Sequence, residues 1–230
     1  MGLKENLENV MNRIKEAAHR AGRDPSEVKL VVATKYADVK KMEELFLLGV
    51  REFGENRAQD LIRKSEYFKD RPIVWHFIGR IQTNKVKYIV PRCELIHSVW
   101  RVEELEEIEK RAKKLGKIQK ILIEVNVFGE KTKAGLLLQE VEGFLKMCET
   151  FKQIEVLGFM TMAPYVENPE EVRWGFRILK ELRDELSKKY NSNNVKLKEL
   201  SMGMSNDFEV AIEEGATMVR IGSAIFKGGR

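Results

Sequence analysis

Eight short runs of β-type sequence alternate with helical runs along almost all of this 230-residue chain, and that alternation restricts its fold more than any other feature. The β-type runs are Leu30–Thr34, Glu52–Glu55, Val74–Gly79, Leu95–Val99, Ile121–Val127, Val156–Met162, Glu199–Met202 and Met218–Ser223. Helical patterns follow the first seven, at Val39–Leu48, Ala58–Phe68, Asn84–Val90, Val102–Leu115, Leu138–Phe151, Glu170–Lys189 and Asp207–Glu214. Strands separated by helices of crossover length argue for a parallel sheet. Eight such units predict a closed (β/α)8 TIM barrel, with an open doubly wound sheet as the alternative. A barrel of this kind typically needs roughly 250 residues and at least about 200. No full helix follows the eighth run. An additional N-terminal helix over residues 4–21, with Leu7, Val10, Met11, Ile14, Ala17 and Ala18 at helical spacing, is expected to cover that gap. Gly22 stops this helix and Asp24-Pro25 starts a turn. No Pro/Gly/Ser linker divides the chain, so residues 1–230 are expected to form a single domain, with a loop over Asn191–Asn194.

Composition narrows the function classes. Charged residues make up 33% of the chain, above the usual value of about 25%. The excess falls on helical stretches such as Arg101–Lys117 and Lys180–Lys189, as solvated faces, and is compatible with a heat-tolerant protein. The net charge of +5 comes from interleaved Lys and Glu. Nucleic-acid binders concentrate their basic residues, so no nucleic-acid partner is expected. Cys93 and Cys148 fit neither a disulfide framework nor a zinc site. A reducing cytoplasm is the expected location. No signal peptide and no membrane span are expected.

In such a barrel, function sits at the C-terminal ends of the strands. The first run, LVVATK, ends in Lys35. A neutral amine there can attack an aldehyde, and burial beside other cations would favour the neutral form. The alternative is a surface lysine at a strand end. The second run ends in FGEN, where Asn56 either faces the site or caps the next helix. His76 lies within the third run and reads better as a hydrogen-bonded core histidine than as a catalytic one. The three histidines have no metal-ligand spacing. The seventh and eighth runs, LSMGMSN and MVRIGSA, bring Ser201, Ser205 and Ser223 together with Gly203 and Gly222. Barrels often bind phosphate at these two strand ends. Arg220 shares the face of Gly222 and so should point into the barrel. There it needs a ligand or an acid such as Glu124.

The runs VVATK, FGENRAQD, WHFIGRIQTNK, HSV, LSMGMSNDFEVAIEEG and TMVRIGSAIF together resemble the pyridoxal phosphate homeostasis protein family. The resemblance extends from about residue 4 to residue 227, and its longest run is highly specific. It implies a fold like the N-terminal barrel of alanine racemase, with pyridoxal 5′-phosphate (PLP) held as a Schiff base on Lys35. It further implies that Ser201, Gly222 and Ser223 contact the phosphate, that Arg220 meets the pyridine nitrogen, and that Asn56 lies near the ring. Thr34, Arg80-Ile81 and Ser223 depart from the usual residues of the family. The first and last keep a hydroxyl, whereas Arg80 adds a charge beside the third strand end.

An arginine at the pyridine nitrogen leaves that nitrogen unprotonated and weakens the electron sink. An alanine racemase-type enzyme is the main rival and tolerates the same arginine. It needs a second base, which in that enzyme is a tyrosine of the partner subunit beside a second domain. No tyrosine here lies in a matching motif, and only four residues follow Phe226. The resemblance therefore implies a carrier, reservoir or regulator of PLP and not an enzyme. The expected protein is a monomer whose partners include PLP-dependent apo-enzymes. A Schiff-base aldolase and a ligand-free interaction module are further alternatives.

Overall fold

The computed structural model describes residues 2–130, 133–190 and 192–228. Eight parallel strands close into a barrel in sequence order, with β1 paired to β8. They are β1 (Lys29–Ala33), β2 (Glu52–Glu55), β3 (Val74–Phe77), β4 (Leu95–Val99), β5 (Gln119–Glu124), β6 (Ile154–Met160), β7 (Val195–Ser201) and β8 (Met218–Ile221). The open-sheet alternative is thereby set aside. The helices are α1 (Leu3–Arg20), α2 (Val39–Leu47), α3 (Ala58–Tyr67), α4 (Val86–Ile89), α5 (Val102–Leu115), α6 (Val141–Cys148), α7 (Arg173–Lys189) and α8 (Phe208–Glu213).

Period-2 alternation sorts each strand into two faces. Outward residues such as Phe53, Trp75, Ile96, Ile121, Phe159 and Leu200 join the apolar faces of the helices in one large core. Inward residues form a much smaller apolar group, Leu95, Leu122, Met160 and Met218. The rest of the barrel interior is polar, a departure from the branched apolar filling usual in this fold.

α1 takes the place of a helix after β8. Its Asn6 side chain donates to the Ile225 carbonyl at 3.0 Å, and Arg13 and Arg20 pair with Glu209 and Glu213 of α8. Arg23, just beyond α1, donates to the carbonyls of Ile212 and Ala216. The last described turn, Ala224–Gly228, is of π type, and the amides of Ile225 and Phe226 both return to the Gly222 carbonyl.

β7 begins earlier than the sequence pattern suggests. The segment VKLKELS is a strand from Val195, with Leu197 at φ 23° where the pairing with β6 slips. Ser192–Asn194 form a loop ahead of it, as expected, while Asn191 lies outside the described residues. Both cysteines are buried and free. Burial pushes both thiols up, Cys148 to about 12. Among the described residues no helix is long and apolar enough to cross a membrane.

Candidate functional site

Parallel pairing fixes which loops meet at the C-terminal mouth. Val32 pairs with Ile221, so the chain segments that leave β1 and β8 run side by side. Gly222 makes this approach possible: a Cβ there would stand 2.8 Å from the Ala33 carbonyl oxygen. Lys35 follows in the turn after β1. Its amine lies 4.6 Å from the centroid of the Tyr36 ring, and Lys227 stands over the same ring at 5.9 Å. Lys35 is exposed. The expectation of a buried amine is corrected here, because the turn carries the side chain past the strand end into solvent. A second cation, Lys227, does lie beside it.

The seryl groups divide into two sets. Ser201 is fully buried inside the barrel: Arg220 Nη1 donates to its Oγ at 2.6 Å, and His97 Nδ1 lies 2.8 Å away. Ser205, in the loop after β7, accepts from the Ala224 amide at 3.2 Å and so borders the Gly222–Ala224 backbone. Ser223 is exposed at the same place. The loop that carries Ser205 is tied by buried Asp207, which accepts from the Met204 amide at 2.6 Å. Gly203, at φ 96°, packs where a Cβ would meet Ala211 Cβ at 2.7 Å. Side chains in that backbone conformation are strained. Of the hydroxyls singled out in the sequence, Ser205 and Ser223 therefore share the mouth, and Ser201 lies beneath it.

Arg220 is 4% exposed. Its Nη2 donates to the Thr161 carbonyl at 2.9 Å, and Nε has no partner among the described residues. Burial pulls its pKa down to about 10, opposed by the charges of Glu124 and Asp207, so it stays cationic at neutral pH. The direct ion pair with Glu124 weighed from the sequence does not form among the described residues. Burial raises the Glu124 carboxyl to about 7 against the pull of Arg220.

Asn56 stands at the end of β2, half-buried. The N-cap of α3 is Arg57, without a side-chain cap bond, so Asn56 does not serve as the cap. It lines a cavity of about 560 Å³ with Arg57, Phe77, Arg80, Gln82 and Lys85. Arg80 thus adds its charge to this side of the mouth. Gly79 holds the wall tight, since a Cβ there would stand 2.1 Å from the Asn56 carbonyl oxygen.

Beneath the mouth runs a polar chain that sequence reading found only in part. His76 Nε2 lies 2.5 Å from Glu52 Oε2, and His76 Nδ1 lies 2.8 Å from His97 Nε2. His97 then bonds Ser201, whose Oγ accepts from Arg220. His76 is the hydrogen-bonded interior histidine expected from its place within a strand. Glu52 and His97 were not singled out, although both occupy inward positions at period 2 with His76.

Behind the Lys35 turn lies a sealed ion pair. Lys64 Nζ sits 2.6 Å from Glu55 Oε1 and donates to the Thr34 carbonyl at 2.7 Å. The Thr34 hydroxyl bonds the same carboxylate oxygen. The peptide preceding Lys35 is thus anchored from the helical layer.

The chain matches the family of the alanine racemase N-terminal domain over residues 5–229. A protein of Aquifex aeolicus named pyridoxal phosphate homeostasis protein is 49% identical over 222 residues, covering 96% of each chain. The structure of PipY from Synechococcus elongatus, with PLP bound, superposes with a TM-score of 0.81 at 31% identity, covering 93% of this chain and 99% of that one. Alanine racemase of Clostridium difficile, 16% identical with a TM-score of 0.74, shares the fold over 56% of its own length. With a near full-length likeness at 49% identity and the family match across the barrel, this chain belongs to the pyridoxal phosphate homeostasis protein family.

Proposed function

We propose that this chain holds PLP on Lys35 and acts as a monomeric cytoplasmic carrier, reservoir or regulator of the cofactor, serving PLP-dependent apo-enzymes. The observation that carries this reading is the pairing of β1 with β8, which sets the Lys35 turn beside the Gly222–Ala224 backbone over a buried arginine. A pyridine aldehyde with a phosphate arm needs an amine, an anion cradle and a group for the ring nitrogen, and these residues supply all three. Lys35 would hold the group by its aldehyde, the amine nitrogen replacing the carbonyl oxygen, which would leave as water. Gly222, Ser223 and Ser205 take the phosphate. Arg220, with Nε unspent, faces the ring nitrogen, Ser201 holds the guanidinium from below, and Asn56 stands at the ring edge. The fit rests on the glycine cradle and on a buried cation that makes no direct ion pair among the described residues.

Bound PLP supplies an aldehyde and an electron sink. Arginine only donates hydrogen bonds, so it does not hold a proton on the ring nitrogen, and the sink is weak. This supports storage and delivery over racemisation, as does the homeostasis naming of the relatives.

Purified protein incubated with PLP is expected to show visible absorbance, and borohydride reduction followed by mass spectrometry should place the adduct on Lys35. Lys35→Ala should lose both signals, and neither protein should racemise alanine above background. An adduct on another lysine, or colour retained in the variant, refutes the assignment.

A further inference from the structure

We infer that Glu52, His76, His97 and Ser201 form a hydrogen-bond chain of fixed direction that positions Arg220, so that a carboxylate at the opposite mouth of the barrel helps set the cofactor's environment. This rests on the reading above that Arg220 meets the ring nitrogen of PLP.

The direction follows from donor chemistry. Arg220 only donates, so Ser201 Oγ accepts from Nη1 at 2.6 Å. The hydroxyl keeps a single proton, and His97 Nδ1, at 2.8 Å, is its one remaining partner among the described residues. His97 is then neutral with its proton on Nε2, which donates to His76 Nδ1 at 2.8 Å. His76 carries its proton on Nε2 and donates to Glu52 at 2.5 Å. Every group is satisfied and both imidazoles are neutral. The reverse order leaves the Ser201 proton without an acceptor and needs a cationic His76 against Glu52. It also buries two cations, Arg220 and His76, within the same barrel. Burial, reinforced by the Arg220 charge, keeps His97 well below the usual imidazole range, in line with the neutral form.

The chain joins two surfaces. Its lower end, Glu52, has 27% of its side chain exposed and lines a cavity of about 510 Å³ with Lys29, His76, Lys117, Lys120 and Glu199. That cavity lies where the strands begin. Its upper end, Arg220, lies where they finish. A barrel interior would otherwise be filled by branched apolar side chains. A continuous polar path holds the guanidinium by its Nη1 edge while the Thr161 carbonyl holds Nη2. These are positioning residues, since none of the four reaches the mouth.

Two measurements test the inference. The first needs no cofactor: ¹⁵N NMR of the unliganded protein at neutral pH should show His76 and His97 both neutral with the proton on Nε2. A cationic His76, or a proton on Nδ1 of His97, overturns the chain whatever the cofactor does. The second uses the PLP-loaded protein. Ser201→Ala and His97→Leu should shift its visible absorbance band and weaken cofactor retention by about tenfold, as losing one charge-assisted hydrogen bond would. Ser201→Thr keeps the hydroxyl and should restore both. Glu52→Gln keeps an acceptor for His76 but removes the charge, and should shift the band with little loss of retention. Unchanged spectra in all variants, with the expected NMR tautomers and colour still lost in Lys35→Ala, would overturn the link to the cofactor. Colour retained in Lys35→Ala would instead refute the binding reading and leave the chain itself standing on its NMR signature.

Discussion

Replacing Lys64 by methionine removes one half of an ion pair that the fold has sealed off from water. Lys64 and Glu55 have side-chain exposures of 1% and 0%. One carboxylate oxygen takes both the ammonium and the Thr34 hydroxyl, and the other, Oε2, has no partner among the described residues. Methionine spans a similar length, so the change in packing is small. What is left is a buried carboxylate with no counter-charge. Deleting one partner of such a pair costs about 3–5 kcal/mol, most of it the charge left behind. For a chain of this size each kcal/mol lowers Tm by roughly 2–4 °C, so a fall of roughly 6–20 °C is expected. Glu55→Gln in the same background removes the stranded charge and keeps an acceptor for Thr34. The double variant should therefore recover more than half of the loss. Urea midpoints and thermal unfolding of the wild type, both single variants and the double variant measure the coupling directly. If Lys64→Met costs less than about 1 kcal/mol, as an exposed pair would, or if the two single losses simply add, the pair is wet and the reasoning fails.

The raised carboxyl of Glu124 gives a pH dependence of known sign. Its folded value is about 7 against an ordinary 4.5, so the folded state holds this proton more tightly than the unfolded chain does. The resulting penalty is absent below the ordinary value, grows as pH rises, and is complete above the folded one. Glu124→Gln should thus stabilise the protein by up to about 3 kcal/mol near pH 8 and not at all near pH 4, by urea midpoints. Equal effects at both pH values would contradict the assignment. Gly222→Ala puts a methyl 2.8 Å from the Ala33 carbonyl oxygen. It should cost about 1–3 kcal/mol and reduce PLP retained on dialysis, and an unchanged protein would show that the two strand ends are not so close.

The order of strands and helices was readable because outward strand faces and helix stripes are apolar at distinct periods. The start of β7 was not, because the alternation of Val195 and Leu197 with Lys196 and Lys198 changes phase at Glu199-Leu200, where the irregular backbone at Leu197 shifts the register. Lys35, Arg220 and Gly222 could be placed because strand ends are counted from the strands. Their surroundings could not: exposure of Lys35 depends on the direction of the turn after β1, which no local pattern encodes. Ser201 and Ser205 look alike along the chain and share the same strand parity; they part only because β7 ends at Ser201 and the chain then turns away. One falls inside the barrel under Arg220, and the other crosses into the loop beside Ala224. Glu52 and His97 were hidden for a related reason. Their partners come from neighbouring strands, so the chain exists only once registers such as Gly54 with His76, and His76 with Leu95, are set.

The contact between Asn6 and Ile225 spans a sequence separation of 219. Successive β–α units can assemble from nearby pieces of chain, but the seam between first and last strands cannot form until these distant segments meet. Before then the sheet has two bare edges, β1 and β8, each able to recruit a foreign strand. By lying across α8 and the last turn, α1 makes completion of the seam a single late event. Aggregation during folding is therefore expected to fall the sooner that one helix docks.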